Sequence, residues 1–452
     1  MKIFGKPLIG VLLLWAIVWN GCQKVNPNFQ QDAADPEYLH QTMKQLTDII
    51  VHDIFSPPVA SRIYAYSSIA AYEALRPGFE GYNSLDGQLH DFMGVPQPEE
   101  GKEYCFPLAG LNAATIVGKA LIFSEDIMDA FRDSSLQKME AVQMPQDVYD
   151  RSMAYGEQVA KFVLAWADKD NYKQTRTFPK YTVTEEVAKW RPTPPDYMDG
   201  IEPHWKDIRT LVMDSAQQFK PIPPTPFSTD PKSQFYTEVM EVYNAMQTDD
   251  VEERKAIAGF WDCNPYVSHH KGHVMFATKK ITPGGHWIGI TAIASRKAGA
   301  DIMKTAAAYT MTSIALFDGF ISCWEEKYRS NLVRPETYIN KVIDEDWMPF
   351  LQTPPFPEYT SGHSVISRAA ATALTKVFGD NFAYTDNVEE EFGFPARTFT
   401  SFFAASDEAA ISRLYGGIHY RPACMEGVKQ GEKVGDWVVS HIQMESSQLS
   451  SK

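Results

Sequence analysis

The sequence predicts an all-α protein, built as one helical bundle or a pair of bundles. Apolar residues recur at spacings of three and four through much of the chain, as in helices that bury one face. Segments that alternate apolar and polar residues, as half-buried strands do, are scarce. The chain has 452 residues, 44% of them hydrophobic, which is enough for a large core shared between two lobes.

The predicted helices follow this spacing along the chain. The first strong pattern, over residues 58–75, puts Ile63, Tyr66 and Ile69 on one broad apolar face. The longest pattern runs over about 294–331, where alanine, methionine, isoleucine and leucine recur at three and four. Further helices are predicted over 108–123, 146–167, 234–246, 364–378 and 407–418.

A proline-rich segment is predicted to join two helical parts. Residues 171–232 are rich in proline, which breaks helices, and in aromatic residues, of which Trp190, Tyr197 and Trp205 should be buried. This composition favours an ordered strap over a disordered linker. The predicted division is a signal peptide at 1–22, an N-terminal helical lobe at 23–170, the strap at 171–232, a catalytic helical bundle at 233–445 and a disordered tail at 446–452.

The N-terminus has the residue order of an export signal. Lys2 and Lys6 precede an apolar stretch at 7–19 that is too short to span a bilayer. Its end, Gly21-Cys22, resembles a bacterial lipoprotein signal, in which the Cys22 thiol is lipidated and becomes the new N-terminus. Simple secretion is the alternative. We therefore expect an exported protein, in the periplasm or at the outer membrane, whose only membrane contact is the lipid anchor.

The charge and the cysteines exclude several classes of function. The formal net charge is −15 and is spread along the chain, which argues against nucleic acid as a partner and requires any anion site to be local. The cysteines after Cys22 form no C-x-x-C pair, so zinc ribbons and thioredoxin-like sites have no support. Buried free thiols are the expected state of these four residues, with one or two disulfides as the alternative.

Basic residues mark the first of three short motifs in the C-terminal half. Lys327 and Arg334 are seven residues apart, about two helical turns, so both side chains can point the same way. Pro335 then turns the chain out of the helix. Taken alone, a basic pair at the end of a helix is more often a solvated face that complements the helix dipole.

The second motif is Thr360-Ser361-Gly362-His363, which opens a predicted helix. A helix N-terminus presents unpaired backbone amides, and glycine lets the backbone approach an anion closely. Ser361 adds a hydroxyl donor. Taken alone, the motif is equally an N-cap serine followed by a surface histidine.

The third motif places Arg413 six residues before His419, with Gly416 and Gly417 between them. The glycines allow close packing or a local bend. A tight contact between helices with an incidental histidine would explain this motif on its own. The three motifs together predict a cationic pocket for a phosphate-like oxyanion, with His363 and His419 placed to do chemistry on it.

The three motifs, in this order, resemble the signature shared by type-2 phosphatidic acid phosphatases and vanadium-dependent haloperoxidases. Segment 61–74, the Thr282-Pro-Gly-Gly-His-Trp287 segment and the Trp324-Glu-Glu-Lys327 approach to the first motif are similar to the haloperoxidase branch. The resemblance covers most of the mature chain and implies a helical-bundle fold.

The resemblance also implies a role for each motif residue. Lys327, Arg334 and Arg413 would neutralise the oxygens of bound vanadate or phosphate. The Ser361 hydroxyl and the Gly362 amide would complete the oxyanion site.

The two histidines would do the chemistry. His419 would be the protein ligand of vanadium in a haloperoxidase, or the nucleophile that forms a phosphohistidine in a phosphatase. His363 would be the acid–base residue in either reaction.

Two positions depart from the family pattern. The aspartate usual four residues after the third-motif histidine is Ala423 here, which weakens the phosphohistidine mechanism most; Glu426 or Asp407 could replace it. The proline usual at the start of the second motif is Thr360. An impaired site that only binds an oxyanion therefore stays open.

Two other groups of residues are weaker candidates. His269, His270 and His273 suggest a metal site at helical spacing, although no third-ligand pattern follows and packing near the pocket entrance is favoured. Trp190, Trp205 and Trp261 could stack on a glycan, but tryptophans in such positions are more often core.

The resemblance favours a vanadate-dependent haloperoxidase that oxidises halide with peroxide. The first alternative is a periplasmic acid phosphatase, acting on phosphomonoesters or pyrophosphate, with phosphate in the same site. The second is a non-catalytic surface lipoprotein that binds an oxyanion or a glycan. In each enzymatic case the partner is a small-molecule substrate.

Overall fold

The computed structural model describes residues 25–446 except Gly272. The predicted signal peptide with Cys22 and all but the first residue of the predicted tail lie outside the described residues. The prediction of an all-α fold is confirmed, because strands in the described range form only two short hairpins. The strands are β1 (Val267–Lys271), β2 (Val274–Thr278), β3 (Tyr384–Asp386) and β4 (Arg397–Phe399).

Fifteen α-helices make up the described fold, and two of the predicted ones, 58–75 and 146–167, match the sequence pattern to within a residue at both ends. The helices are α1 (Phe29–Ala33), α2 (Glu37–His52), α3 (Pro57–Leu75), α4 (Phe106–Ala120), α5 (Glu125–Ala141), α6 (Gln146–Ala167), α7 (Tyr172–Thr175), α8 (Gln234–Tyr243), α9 (Val251–Phe260), α10 (Pro283–Lys297), α11 (Ile302–Ser330), α12 (Pro335–Val342), α13 (Gly362–Phe378), α14 (Phe402–Tyr415) and α15 (Arg421–His441).

Helix α11 is the centre of the fold. It packs against α3, α10, α13 and α15, and every residue from Thr305 to Lys327 is buried. It is long and apolar enough to cross a bilayer, yet its apolar window lies wholly inside the protein. A helix that is apolar on all sides and covered on all sides is the core of a large bundle.

The predicted helix over 294–331 is wrong, because the chain breaks between α10 and α11. Gly299 has φ +60°, the left-handed conformation that ends many helices. Asp301 then caps α11, its side chain accepting from the Lys304 amide. Helix α14 likewise begins five residues before the predicted 407, since Ser401 caps it through the Ala404 amide.

The segment 171–232 runs along the helices without long elements of its own. Asp318, buried in α11, accepts hydrogen bonds from the amides of Leu211, Val212 and Met213 at 2.7–2.9 Å and so ties the segment to the core. Trp190 and Trp205 are buried as expected. The expected burial of Tyr197 is wrong: it is 63% exposed, at a turn with φ +51°.

Close packing of α13 on α15 fixes the start of α13. A Cβ on Gly431 would lie 2.1 Å from the Val365 carbonyl oxygen, and one on Gly427 would lie 2.8 Å from Ser364 Cβ. Only glycine permits this approach. Cys105, Cys263, Cys323 and Cys424 are free and buried, as expected.

Candidate active site

Five side chains singled out in the sequence lie at the ends of neighbouring helices. Lys327 is in the last turn of α11, and Arg334 immediately precedes α12. His363 is the second residue of α13. Arg413 is in the last turn of α14, and His419 lies in the loop before α15. Because α13 packs on α11, α14 and α15, residues far apart in sequence meet here.

These helix ends surround a cavity of about 150 Å³. Arg334 adjoins it through its Nη1, which is 3.1 Å from His419 Nε2. Lys327 lies beneath it, its Cε 3.9 Å from where a Cβ on Gly362 would stand. The structure therefore brings the three cations and the two histidines together. The cavity wall includes Phe320, Trp324, Phe356, Gly362, His363, Arg413 and His419.

His419 is held through both ring nitrogens. Its Nε2 lies 3.1 Å from Arg334 Nη1, and its Nδ1 lies 2.9 Å from Glu358 Oε1. Arginine can only donate, so Nε2 is the acceptor and Nδ1 carries the proton that is donated to Glu358. The same Glu358 oxygen accepts from the Tyr420 amide at 2.9 Å. Ring and backbone around His419 are thus fixed by one carboxylate.

Glu358 is the functional residue that the sequence motifs missed. The proposed substitutes for the family aspartate were wrong: Asp407 pairs with Arg368, and Glu426 pairs with Lys429. The carboxylate instead comes from the loop before α13, where Glu358 is fully buried. The available signal was a glutamate in an otherwise apolar stretch, Pro-Pro-Phe-Pro-Glu-Tyr, since a buried carboxylate needs partners.

Glu358 supplies to His419 the carboxylate that Ala423 lacks. Ala423 is fully buried, and its carbonyl accepts from the Ser361 amide at 3.1 Å. At the other departure, Thr360 Oγ1 donates to Gln430 Oε1 at 2.7 Å, which ties the second motif to α15. Both departures therefore occur with compensating contacts in this chain.

Lys327 binds backbone oxygens. Its Nζ lies 3.0 Å from the Pro357 oxygen, 3.2 Å from that of Glu358 and 2.6 Å from that of Thr360. These three contacts use all the donors of an ammonium group. In this structure Lys327 is a source of charge and a tie on the loop before α13, where the resemblance implied a direct donor to the anion.

The two arginines differ in what remains free. Arg413 Nη2 donates to the carbonyl oxygens of Ala258 and Trp261. Arg334 donates through Nε to the Phe356 oxygen, but its buried Nη2 has no partner among the described residues. Arg334 Nη2 is thus an N–H group available to a ligand.

The second motif forms a helix start, as predicted. Ser361 Oγ accepts from the Ser364 amide at 3.3 Å and caps α13, so the hydroxyl proton can point elsewhere. Gly362 is the first residue of the helix, where amides lack an acceptor within the helix. His363 Nε2 is buried without a partner among the described residues. The start of α13 thus offers donors and a bare nitrogen to the cavity.

Burial and mutual repulsion shift the pKa values of the cationic groups. Burial lowers the pKa of Lys327 to about 7 and that of Arg334 to about 10. Burial, together with the neighbouring cations, also holds the pKa values of His363 and His419 well below the ordinary range. Burial raises the pKa of Glu358 to about 7, against the nearby Arg334. A bound anion would favour the charged forms of the cations.

The lowered pKa of Lys327 predicts a pH dependence of anion binding. Molybdate, which stays a dianion over this range, should bind most tightly where Lys327 is already protonated. As pH rises through about 7, affinity should fall, approaching about tenfold per pH unit, because binding must then also protonate the lysine. Calorimetric titration of wild type and Lys327→Met would measure this. The Lys327→Met variant should bind molybdate weakly at every pH, because it lacks the group that must be protonated. The same pH dependence in both proteins would contradict the prediction.

The unpaired atoms fit an oxyanion such as vanadate. Buried polar atoms without partners are rare and costly. Here His363, which lines the cavity, leaves Nε2 without a partner among the described residues, and Arg334, which contacts the cavity-lining His419, leaves Nη2. An oxyanion offers acceptors to Arg334 Nη2, to the Ser361 hydroxyl and to the Gly362 amide. His419 Nε2 is the lone-pair nitrogen that a vanadium centre needs.

The other sequence candidates lie outside this site. The predicted helical spacing of His269, His270 and His273 is wrong, because the segment forms the β1–β2 hairpin; His270 pairs there with Asp196. The histidine spacing gave a wrong prediction because the segment is too short for its spacing to distinguish a strand from a helix. Trp190, Trp205 and Trp261 are buried and present no surface to a glycan.

Comparisons with known proteins agree with this geometry. Residues 307–447 match the family described as the VCPO second helical-bundle domain. The crystal structure of the first bacterial vanadium-dependent iodoperoxidase is 52% identical, with a TM-score of 0.86, and the match covers 91% of this chain and 98% of that chain. A search of curated proteins found no match.

More distant solved structures share the fold. The holo and apo forms of a bacterial vanadium-dependent chloroperoxidase are each 18% identical, with TM-scores of 0.65 and 0.64. Each match covers 86% of this chain, and 93% and 94% of the respective structures. At this identity the likeness shows the fold alone.

Proposed function

The chain belongs to the vanadium-dependent haloperoxidase family, and on that premise we propose that the halide it oxidises with peroxide is iodide. It is an enzyme of this family, and its cofactor is vanadate. The observation that carries the choice of iodide is the 52% identity with a bacterial iodoperoxidase over 98% of that protein. An aromatic wall of Phe320, Trp324 and Phe356 also suits iodide, the most polarisable and least hydrated of the common halides.

We assign the anion site to four groups of this chain. His419 would hold vanadium through Nε2, and Arg334 would turn its free Nη2 toward the oxygens. The Ser361 hydroxyl and the Gly362 amide would add neutral donors at the start of α13. Bound vanadate supplies a Lewis-acidic centre that activates peroxide toward a halide.

Lys327 and Arg413 would act mainly through charge, since their hydrogen bonds among the described residues go to backbone oxygens and to Ser412. Two buried cations beside the anion stabilise negative charge strongly, because little water screens them.

His363 is assigned the proton transfer. Its low pKa, caused chiefly by burial and then by Arg413, keeps the ring neutral at ordinary pH. Trp261 makes a backbone hydrogen bond with the ring, and Nε2 is left bare. A bare nitrogen next to the anion site can take a proton from peroxide and return one to a departing oxygen.

Phosphatase activity is the alternative that one observation favours. The missing aspartate was the objection to a phosphohistidine, and Glu358 supplies a carboxylate to His419 Nδ1. A periplasmic acid phosphatase could thus use His419 as its nucleophile. No comparable observation supports a non-catalytic oxyanion- or glycan-binding lipoprotein.

One set of assays tests these proposals. Metal-free protein should oxidise iodide with peroxide only after vanadate is added, and excess phosphate should suppress that activity by competing for the site. Bromination of a dye under the same conditions should be at least about tenfold slower in kcat/KM. Equal rates with bromide would contradict the iodide proposal. Phosphate release from p-nitrophenyl phosphate without vanadate, inhibited by vanadate, would support the alternative.

Export and lipid attachment at Cys22 are proposed from the sequence. The basic start, the short apolar stretch and the Gly21-Cys22 junction support them. Mass spectrometry of the mature N-terminus decides the matter: an unmodified Met1 would contradict export, and a lipid-free N-terminus beyond Cys22 would leave secretion without an anchor.

A further inference from the structure

A second cluster of ligand-type atoms lies next to the active-site cavity. Cys263, His286 and Glu389 place a thiol, a ring nitrogen and a carboxylate oxygen all within 4.8 Å of one another, and all three residues are buried. We propose that these three side chains bind a structural divalent cation of the zinc type.

The distances match one ion at the centre. Cys263 Sγ lies 3.5 Å from His286 Nδ1 and 3.7 Å from Glu389 Oε1, and those two atoms are 3.1 Å apart. With Zn–S of about 2.3 Å and Zn–N or Zn–O of about 2.0–2.1 Å, tetrahedral angles give separations of about 3.5, 3.5 and 3.3 Å. The three atoms already stand close to those positions, with one vertex left over.

The histidine is oriented as a metal ligand. Its far nitrogen, Nε2, lies 2.8 Å from Asp386 Oδ2, and Asp386 is fully buried. A carboxylate on the second nitrogen fixes the tautomer, so that Nδ1 presents its lone pair to the cluster. His286 also stacks on Trp261, with ring centroids 4.6 Å apart, which fixes the plane of the ring.

An unpaired atom points to something missing from the protein groups alone. Glu389 is 1% exposed, yet its Oε2 has no hydrogen-bond partner among the described residues. A buried carboxylate oxygen without a partner is costly, and a water on the fourth vertex of an ion bound by Oε1 would donate to Oε2. Thiolate, imidazole and carboxylate together are the ligand set typical of zinc.

A proton is the competing occupant. Although burial opposes it, Asp386 and Glu389 raise the pKa of His286 well above its ordinary value. An imidazolium bridging the two carboxylates would therefore also be stable, with Cys263 as a neutral thiol, whose pKa burial raises to about 11. That arrangement leaves Glu389 Oε2 unpaired. The metal content of the purified protein distinguishes a bound proton from a bound cation.

The cluster joins three parts of the chain beside the catalytic pocket. Cys263 follows α9 and lines the cavity, His286 is in the first turn of α10, and Glu389 is in the short helix Val388–Phe392. An ion here would hold the wall behind His363, whose pKa His286 influences. The role proposed for the ion is structural, because neither His363 nor His419 is among its three ligands.

Metal analysis tests the proposal on the whole protein. The protein, purified without chelators or a histidine tag, should contain about one zinc ion per chain when measured by inductively coupled plasma mass spectrometry. The Cys263→Ser variant should lose most of the zinc. The Cys105→Ser variant, which changes a buried cysteine in a separate hydrophobic cluster, should keep its zinc. Wild-type protein with only traces of zinc, and no rise in Tm on adding zinc, would overturn the proposal.

A second measurement covers a variant that fails to fold. Wild-type protein stripped by a chelator and reloaded with Co²⁺ should show the intense near-ultraviolet absorption of a thiolate–cobalt bond and recover its Tm. Cobalt uptake without that absorption would exclude Cys263 as a ligand and overturn the site. Neither experiment uses vanadate or halide, so failure here leaves the haloperoxidase assignment untouched.

Discussion

Replacing His419 by alanine should abolish vanadate-dependent iodide oxidation. The ring supplies the nitrogen that we assign to vanadium, and it is held by Arg334 on one side and Glu358 on the other. Loss of outer partners alone typically costs about 10–100-fold in metal affinity, so loss of the ligand should cost more than about 100-fold. The remaining cations should still retain some oxyanion affinity.

Two measurements separate the loss of the ligand from a loss of fold. Vanadate affinity, followed by the fluorescence of Trp324 and its neighbours or by ⁵¹V resonance, should fall in His419→Ala while the helical circular dichroism is unchanged. His441→Ala, at an exposed histidine on the far end of α15, should match wild type in both. Undiminished vanadate-dependent turnover in His419→Ala would remove this residue from the mechanism.

The three motifs could be predicted because each depends on local sequence. Lys327 lies in the last turn of α11, and Arg334 precedes α12, whose first residue is Pro335. Ser361 is an N-cap serine followed by glycine. Helix α6 matched its apolar spacing at both ends for the same reason. Local rules of spacing and capping were sufficient there.

Residue spacing along the sequence could not predict which side chains of the different motifs contact one another. Glu358 meets His419 across 61 positions, and that contact exists only once α13 has packed on α15. The partners of Lys327 were missed for a similar reason, since its ammonium group donates to the backbone oxygens of Pro357, Glu358 and Thr360, about thirty residues away in the sequence. Tertiary partners decide such contacts.

The break between α10 and α11 was visible but was overridden by periodicity. Gly299 and Asp301 form a stop signal followed by a cap, two residues apart. The apolar spacing continues through the break because both helices bury one side in the same core. The capping residues, and not the periodicity, mark the helix boundary there.

Glu358→Gln should keep the fold and weaken vanadate binding by about 10–100-fold, the usual effect of losing a partner that orients a metal-binding histidine. The glutamine oxygen can still accept from His419 Nδ1 and from the Tyr420 amide, so the shape and both hydrogen bonds remain. The negative charge is lost, and with it the basicity that the carboxylate gives to Nε2 of the ring. We therefore expect a higher vanadate Kd and a lower kcat.

A matched control distinguishes this positioning role from simple burial. Glu73 is also a fully buried glutamate that accepts a backbone amide, that of Leu85, but it lies in α3, away from the oxyanion site. Glu73→Gln should change Tm as much as Glu358→Gln does and leave the vanadate Kd unchanged. If both variants bind vanadate like wild type, then Glu358 only fills space, and the carboxylate that replaces the family aspartate has no function in the site.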